Sequence, residues 1–95
     1  MEQEKLVLLS TGHISEPDAR RLEQLARELH MEERLWNRGY GFMMQVELMQ
    51  DAIAECQLPL TSLPWVLDYV RERGAQWLLL DRDVETIEDL PTYDW

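Results

Sequence analysis

The chain predicts an α/β domain: a sheet of three or four strands covered by two main helices, in the order β-α-β-α-α-β-β, with residues 1–95 forming one domain. Three observations carry that prediction. Apolar runs of strand length, Leu6-Val7-Leu8-Leu9 and Trp77-Leu78-Leu79-Leu80, lie toward the two ends of the chain. Between them, apolar residues recur at three- and four-residue steps, which gives a helix one buried stripe. At 95 residues and 45% hydrophobic content, the chain has the size for one core and too much apolar surface for disorder.

Lys5 to Ser10 reads as a buried central strand that ends at Thr11-Gly12. Ser15 then opens a helix, with Pro17 in the first turn and Asp18 three residues on as a capping-box-like acid. Ala19, Leu22, Leu25, Ala26 and Leu29 form its apolar stripe, and Glu23 and Arg27 stand four apart in the favourable order for an ion pair. Met31 to Asn37 is a connection whose end can begin the next strand. From Gly39 to Val46 the chain alternates: Tyr40, Phe42, Met44 and Val46 share one face, and Gly41, Met43 and Gln45 share the other. Glycine inside a strand points to a bend or a close backbone approach. A short helix is expected over about Leu48 to Glu55, carrying Cys56 as inert core at its end. Ser62 is a good N-cap with Pro64 in the first turn, and Gly74 is placed to end that helix in a left-handed cap. Gln76 to Leu80 is the third strand. Val84 to Ile87 is expected as a short edge strand with discouraging acids, and Leu90 to Trp95 as a tail folded back through its two aromatics.

Nineteen acidic residues face nine basic ones, for a net charge of −10. Such a surface repels nucleic acid and anionic membrane and attracts basic protein sites. No apolar run approaches the roughly 20 residues that span a bilayer. Met1-Glu2-Gln3-Glu4-Lys5 is acidic where a signal peptide begins basic, and Cys56 has no disulfide partner in the chain. These features favour a reducing cytoplasm.

No catalytic motif stands out. Ser10 and Ser15 lack a nucleophile elbow, Gly39-Tyr40-Gly41 lacks the third glycine of a phosphate loop, and Cys56 has no CxxC partner. No cofactor and no metal is expected. One constellation stays open as an alternative. His13 follows the first strand, Asp81 and Asp83 follow the third, and parallel neighbouring strands would gather all three where α/β sheets bind ligands. They could then serve a metal-dependent or acid–base enzyme. The plainer account is a strand exit and a polar turn. Of the four tryptophans, Trp36, Trp65, Trp77 and Trp95, most are expected in the core, and any left exposed would be an interface anchor.

Ser10-Thr11-Gly12-His13-Ile14, Gly39-Tyr40-Gly41, Leu80-Asp81-Arg82-Asp83 and Leu90-Pro91-Thr92-Tyr93-Asp94-Trp95 together resemble an uncharacterised domain-of-unknown-function family of small acidic proteins from bacterial plasmids, phages and integrative elements. The resemblance implies a fold and a mobile-element setting, and it transfers no catalytic residue. Many proteins from that setting disarm host defences. The leading expectation is therefore a non-enzymatic interaction protein that occupies a basic nucleic-acid-binding site on a partner, as an anti-CRISPR or anti-restriction protein would, without touching nucleic acid or membrane itself. Asp81, Asp83, Glu85, Glu88, Asp89 and Asp94 would form its acidic face, with Tyr93 and Trp95 as rigid support. A further alternative is an accessory homo-oligomer, a homodimer for instance, that buries a sheet face bearing Met43 or Met44.

Overall fold

A computed structural model describes residues 3–28, 35–37 and 41–95. Strand β1 (Leu6–Ser10) leads through a 3₁₀ turn (Thr11–His13) into helix α1 (Glu16–Glu28). Strands β2 (Leu35–Asn37) and β3 (Gly41–Gln45) follow, then helices α2 (Val46–Cys56) and α3 (Leu63–Glu72), then strand β4 (Trp77–Asp81). The four strands form one sheet in the order β1-β4-β3-β2. β1 and β4 are parallel, whereas β3 runs antiparallel to both β4 and β2. The α/β class and the four-strand sheet are as the sequence predicts.

Alternation decides the two faces of the sheet. Leu9, Phe42, Met44, Leu78 and Leu80 join Leu22, Leu25, Met49, Leu63, Val66, Leu67 and Val70 of the helices in one buried cluster. The opposite residues, Leu6, Leu8, Met43 and Leu79, turn away from the helices, and Leu6 and Leu8 are exposed. Of the two methionines, Met44 is core and Met43 is on the open face.

Five expectations are corrected. β1, read as a buried central strand, is the outer strand of the sheet, with Leu6 and Leu8 exposed, and β4 takes the inner place between it and β3. The fourth strand is Leu35–Asn37, and Val84 to Ile87 is irregular chain. Half-buried Ile87, packed against the core, and the backbone bond of Ile87 to His13 replace ladder pairing there. The second helix begins at Val46, because the Gln45 side chain accepts from Leu48 N–H and caps it earlier than periodicity implies. Cys56 is exposed rather than core, since it closes α2 on the outer side. Trp65 and Trp95 are exposed and Trp77 is half-buried. Tyr40 lies outside the described residues, and so does the side chain of Trp36.

The start of α1 shows how local reading misleads. Ser15 does cap it, accepting from Asp18 N–H at 3.3 Å. But Asp18 does not reach back to Ser15, as a capping box requires. Its carboxylate, 2% exposed, crosses to the start of α3 and accepts from Ser62 N–H and Leu63 N–H at 2.8 Å each and from Ser62 Oγ at 2.7 Å. Ser62 Oγ in return accepts from Ser15 N–H at 2.8 Å. The two helices exchange caps, which ties their N-termini together at one end of the domain. The Glu23–Arg27 pair does not form among the described residues; Arg20–Glu16 does, at 3.7 Å. At the far end of α3, Gly74 adopts φ 72°, the left-handed cap its position predicts.

Candidate functional site

The pairing register places Ser10, Asp81 and Gly41 side by side at one edge of the sheet. That edge is the carboxyl end of the parallel pair β1 and β4, where open α/β sheets bind ligands. Gly41 is required there. A Cβ on it would lie 1.7 Å from the carbonyl oxygen of Leu80, so β3 reaches β4 only without a side chain.

Over this edge lies the C-terminal segment, residues 82–95, which contains no helix or strand. It is nevertheless fastened. The turn after β1 holds it at four points. Tyr93 N–H donates to Gly12 O at 2.8 Å, and the Trp95 indole N–H donates to Ile14 O at 2.9 Å. Ile87 N–H donates to His13 Nε2 at 3.0 Å, and His13 Nδ1 lies 2.8 Å from Pro91 O. An imidazole that accepts at Nε2 and meets a carbonyl at Nδ1 carries its proton on Nδ1. His13 is 1% exposed, so both of its nitrogens are satisfied by protein. Leu90 of the same segment is buried in the hydrophobic core. On the other flank, Asp89 Oδ2 lies 3.6 Å from Arg73 Nη2 and accepts from Tyr69 OH at 3.4 Å, while the Arg73 guanidinium stacks 3.4 Å above the Tyr69 ring centroid.

The acids of this strap split into two groups. Asp81 is half-buried, and its Oδ1 accepts from Asp83 N–H at 2.8 Å, closing the turn after β4. Asp83, Glu85, Glu88, Asp89 and Asp94 are exposed. Among the described residues, only Asp89 of these has a cation within ion-pair distance. Arg82 is the one basic residue between positions 82 and 95.

Between the strap and the sheet edge opens a cleft of about 370 Å³. Ser10, Thr11 and Gly12 form its floor with Gly41, and Arg82, Tyr93 and Trp95 form its strap side. Glu23 of α1 lines it as well. The four sequence stretches singled out above therefore meet here, each through its described members.

The structure separates the roles expected of His13, Asp81 and Asp83. His13 directs both ring nitrogens to Ile87 and Pro91 of the strap. It has no lone pair or proton aimed at the two aspartates, and Asp81 is occupied in its own turn. Among the described residues, no three His, Cys, Asp or Glu side chains gather as metal ligands. His13 is a clasp. Sequence could not show this, because its partners stand 74 and 78 residues away. Asp18 and Glu23 were missed as members of this end of the fold; only Asp18 left a signal, an acid three residues after a serine.

The sequence profile of the family of unknown function DUF5983, C-terminal domain, matches residues 6–95. The chain belongs to the DUF5983 family. No curated protein and no solved structure matches it. The matched region of this DUF5983 domain covers the whole sheet, the 3₁₀ turn and the strap, so the clasped edge lies inside the family's own boundaries. Among the described residues no helix is long and apolar enough to cross a membrane.

Proposed function

We propose that this DUF5983 domain is a non-enzymatic interaction protein whose strap presents carboxylates to a basic, nucleic-acid-handling protein. The supporting observation is the pairing of exposure with fixation. Asp83, Glu85, Glu88 and Asp94 are exposed without an arginine or lysine partner among the described residues, yet the strap that bears them is bonded through its backbone to Gly12 and His13 and through the Trp95 indole to Ile14. A loose acidic tail loses conformational freedom when it binds, whereas a strap already ordered loses little. A fixed row of carboxylates can occupy a cleft built for phosphates and release the same counterions. On this reading the domain acts by occupancy in the cytoplasm of a host cell, as anti-CRISPR and anti-restriction inhibitors of mobile elements do. Exposed Tyr93 and Trp95 flank the carboxylates as aromatic contacts.

The test is affinity capture from a bacterial lysate with the immobilised domain. The expected captures are basic nucleic-acid-binding proteins retained at about 0.1 M salt, where the Debye length is about 10 Å, and released near 1 M, where it is about 3 Å. The triple variant Glu85→Lys, Glu88→Lys, Asp94→Lys should retain none of them. Capture indifferent to both salt and charge reversal overturns the proposal.

A further inference from the structure

The cleft between the strap and the sheet edge carries opposite charges that do not meet. Glu23 lines it from α1, and Arg82 lines it from the strap, just after β4. Both residues are exposed. Among the described residues neither side chain has an ion-pair or hydrogen-bond partner, in the other or elsewhere. The volume of about 370 Å³ lies at the small end of ligand pockets, which run from about 300 to 1,000 Å³. The cleft opens at the carboxyl end of the parallel pair β1 and β4.

The floor adds hydroxyls and the strap adds rings. Ser10 and Thr11 are 4% and 8% exposed. Ser10 Oγ accepts from Gly12 N–H at 2.9 Å, which leaves its own proton to donate. The Thr11 hydroxyl has no hydrogen-bond partner among the described residues. Polar groups this buried are usually bonded, so two hydroxyls with bonds still to make on one floor point to a polar guest. Tyr93 and Trp95 are 39% and 55% exposed, yet both are held, Tyr93 by its backbone bond to Gly12 O and Trp95 by its indole N–H on Ile14 O. With that N–H taken, the Trp95 side chain has only apolar ring surface to offer.

We propose that this cleft binds a small zwitterion with a planar side group, an aromatic α-amino acid by class. Its carboxylate lies on Arg82, whose planar fork suits a carboxylate through two parallel bonds, and on the floor hydroxyls. Its ammonium lies on Glu23, and its ring lies against Tyr93 and Trp95. Rings already fixed by the strap lose little freedom when the ligand arrives. A nucleotide would use the same rings and the same arginine. Its phosphate, however, would bring about two negative charges into a domain of net charge −10, beside the unpaired Asp83, Glu85 and Asp94 of the strap. A zwitterion has no net charge, so that field neither bars nor gathers it. The inference does not rest on the proposed partner, which is met by the outward carboxylates and not by the cleft.

Titration of the isotope-labelled full chain with L-phenylalanine, L-tyrosine and L-tryptophan, followed by NMR in about 0.15 M salt, where charges are screened beyond about 8 Å, tests it. The expected result, for at least one of the three, is saturable shifts at the amides of Thr11, Gly12, Glu23 and Arg82 and at the Trp95 indole N–H, with the amides of α2 unmoved. Glu23→Gln and Arg82→Gln should each weaken binding by about tenfold or more and leave the rest of the spectrum unchanged, since each removes one end of a charge-assisted hydrogen bond. Modified ligands separate contact from a structural effect. The N-acetylated form of the amino acid that binds lacks the ammonium and should be indifferent to Glu23→Gln. Its amide lacks the carboxylate and should be indifferent to Arg82→Gln. A domain that shifts with none of the three, variants that bind as wild type does, modified forms that bind as tightly as the parent amino acid, or tighter binding of adenosine monophosphate overturns the proposal.

Discussion

Replacing the buried Asp18 with alanine should destabilise this domain strongly, and the geometry supplies the magnitude. The carboxylate is 2% exposed and is the acceptor for Ser62 N–H, Leu63 N–H and Ser62 Oγ, with Thr61 N–H at 3.1 Å as a fourth donor. Thr61 is exposed, so water can replace the lost bond there. Ser62 and Leu63 are 3% and 0% exposed, so their N–H groups would be orphaned. An unmet buried donor costs about 1–3 kcal/mol. Two of them, with the lost favourable charge at a helix N-terminus of about 0.5–1 kcal/mol, give a total near 3–5 kcal/mol once relaxation is allowed. Against a total stability of about 5–15 kcal/mol, that is a large fraction. At about 4–8 °C per kcal/mol for a domain of this size, the melting temperature should fall by at least about 12 °C. Thermal and urea unfolding followed by circular dichroism measure it, with the urea slope unchanged. Ser62→Ala should cost about 1–2 kcal/mol, and the double variant should show coupling of about 1 kcal/mol or more, because both residues belong to the same exchanged cap. A loss below about 1 kcal/mol for Asp18→Ala, or additive single variants, would refute the reasoning.

Four further outcomes follow from single residues. Gly41→Ala, with its methyl 1.7 Å from Leu80 O, should lose at least about 3 kcal/mol or fail to fold, whereas Gly74→Ala, strained at φ 72° but with nothing within 4 Å, should lose about 1–2 kcal/mol; parallel melting curves separate the two causes. Gln57→Gly should raise stability by about 0.5–1 kcal/mol in urea unfolding, because Gln57 ends α2 at φ 50° without the freedom glycine has there. His13→Ala should speed hydrogen exchange at the Ile87 amide by about tenfold or more, while the amides of β4 stay protected; unchanged Ile87 exchange would show that the clasp is not what holds the strap.

The legible part of this fold was the part written locally. Four of the five residues in each of β1 and β4 are apolar, and the stripes of α1 and α3 repeat at helical steps, so the existence of these elements could be read directly, though not that β1 lies at the edge. β3 alternated cleanly enough to assign Met43 and Met44 to different faces. The misreadings share one cause, which is that the deciding partner is distant in sequence. Asp18 looked like its own helix's cap and is another's, 44 residues on. His13 looked available for chemistry until Ile87 and Pro91 took its two nitrogens. Val84 to Ile87 reads as an edge strand, but its Ile87 amide bonds to the side chain of His13 and not to a strand. The carboxylates of the strap were visible as composition; that they stand on a fastened backbone was not.

A sum of negative charge and an arrangement of negative charge are different physical claims, and His13 separates them. Histidine is neutral in this clasp, by its hydrogen-bond pattern, so His13→Ala leaves all nineteen carboxylates in place. What it removes is the link between the β1 turn and the strap at Ile87 and Pro91. If net charge alone draws the partner, the long-range field of the variant is that of the wild type, and capture at low salt should be equal. If the partner reads positions, the variant must first order the strap, and each residue it orders costs about 1–2 kcal/mol of backbone freedom. The difference would then lie in the rate of release rather than of encounter, because steering depends on the field and retention on the fit. A His13→Ala domain that associates as fast as wild type and dissociates faster is the signature of a shaped polyanion, and equal dissociation would reduce the strap to a carrier of charge.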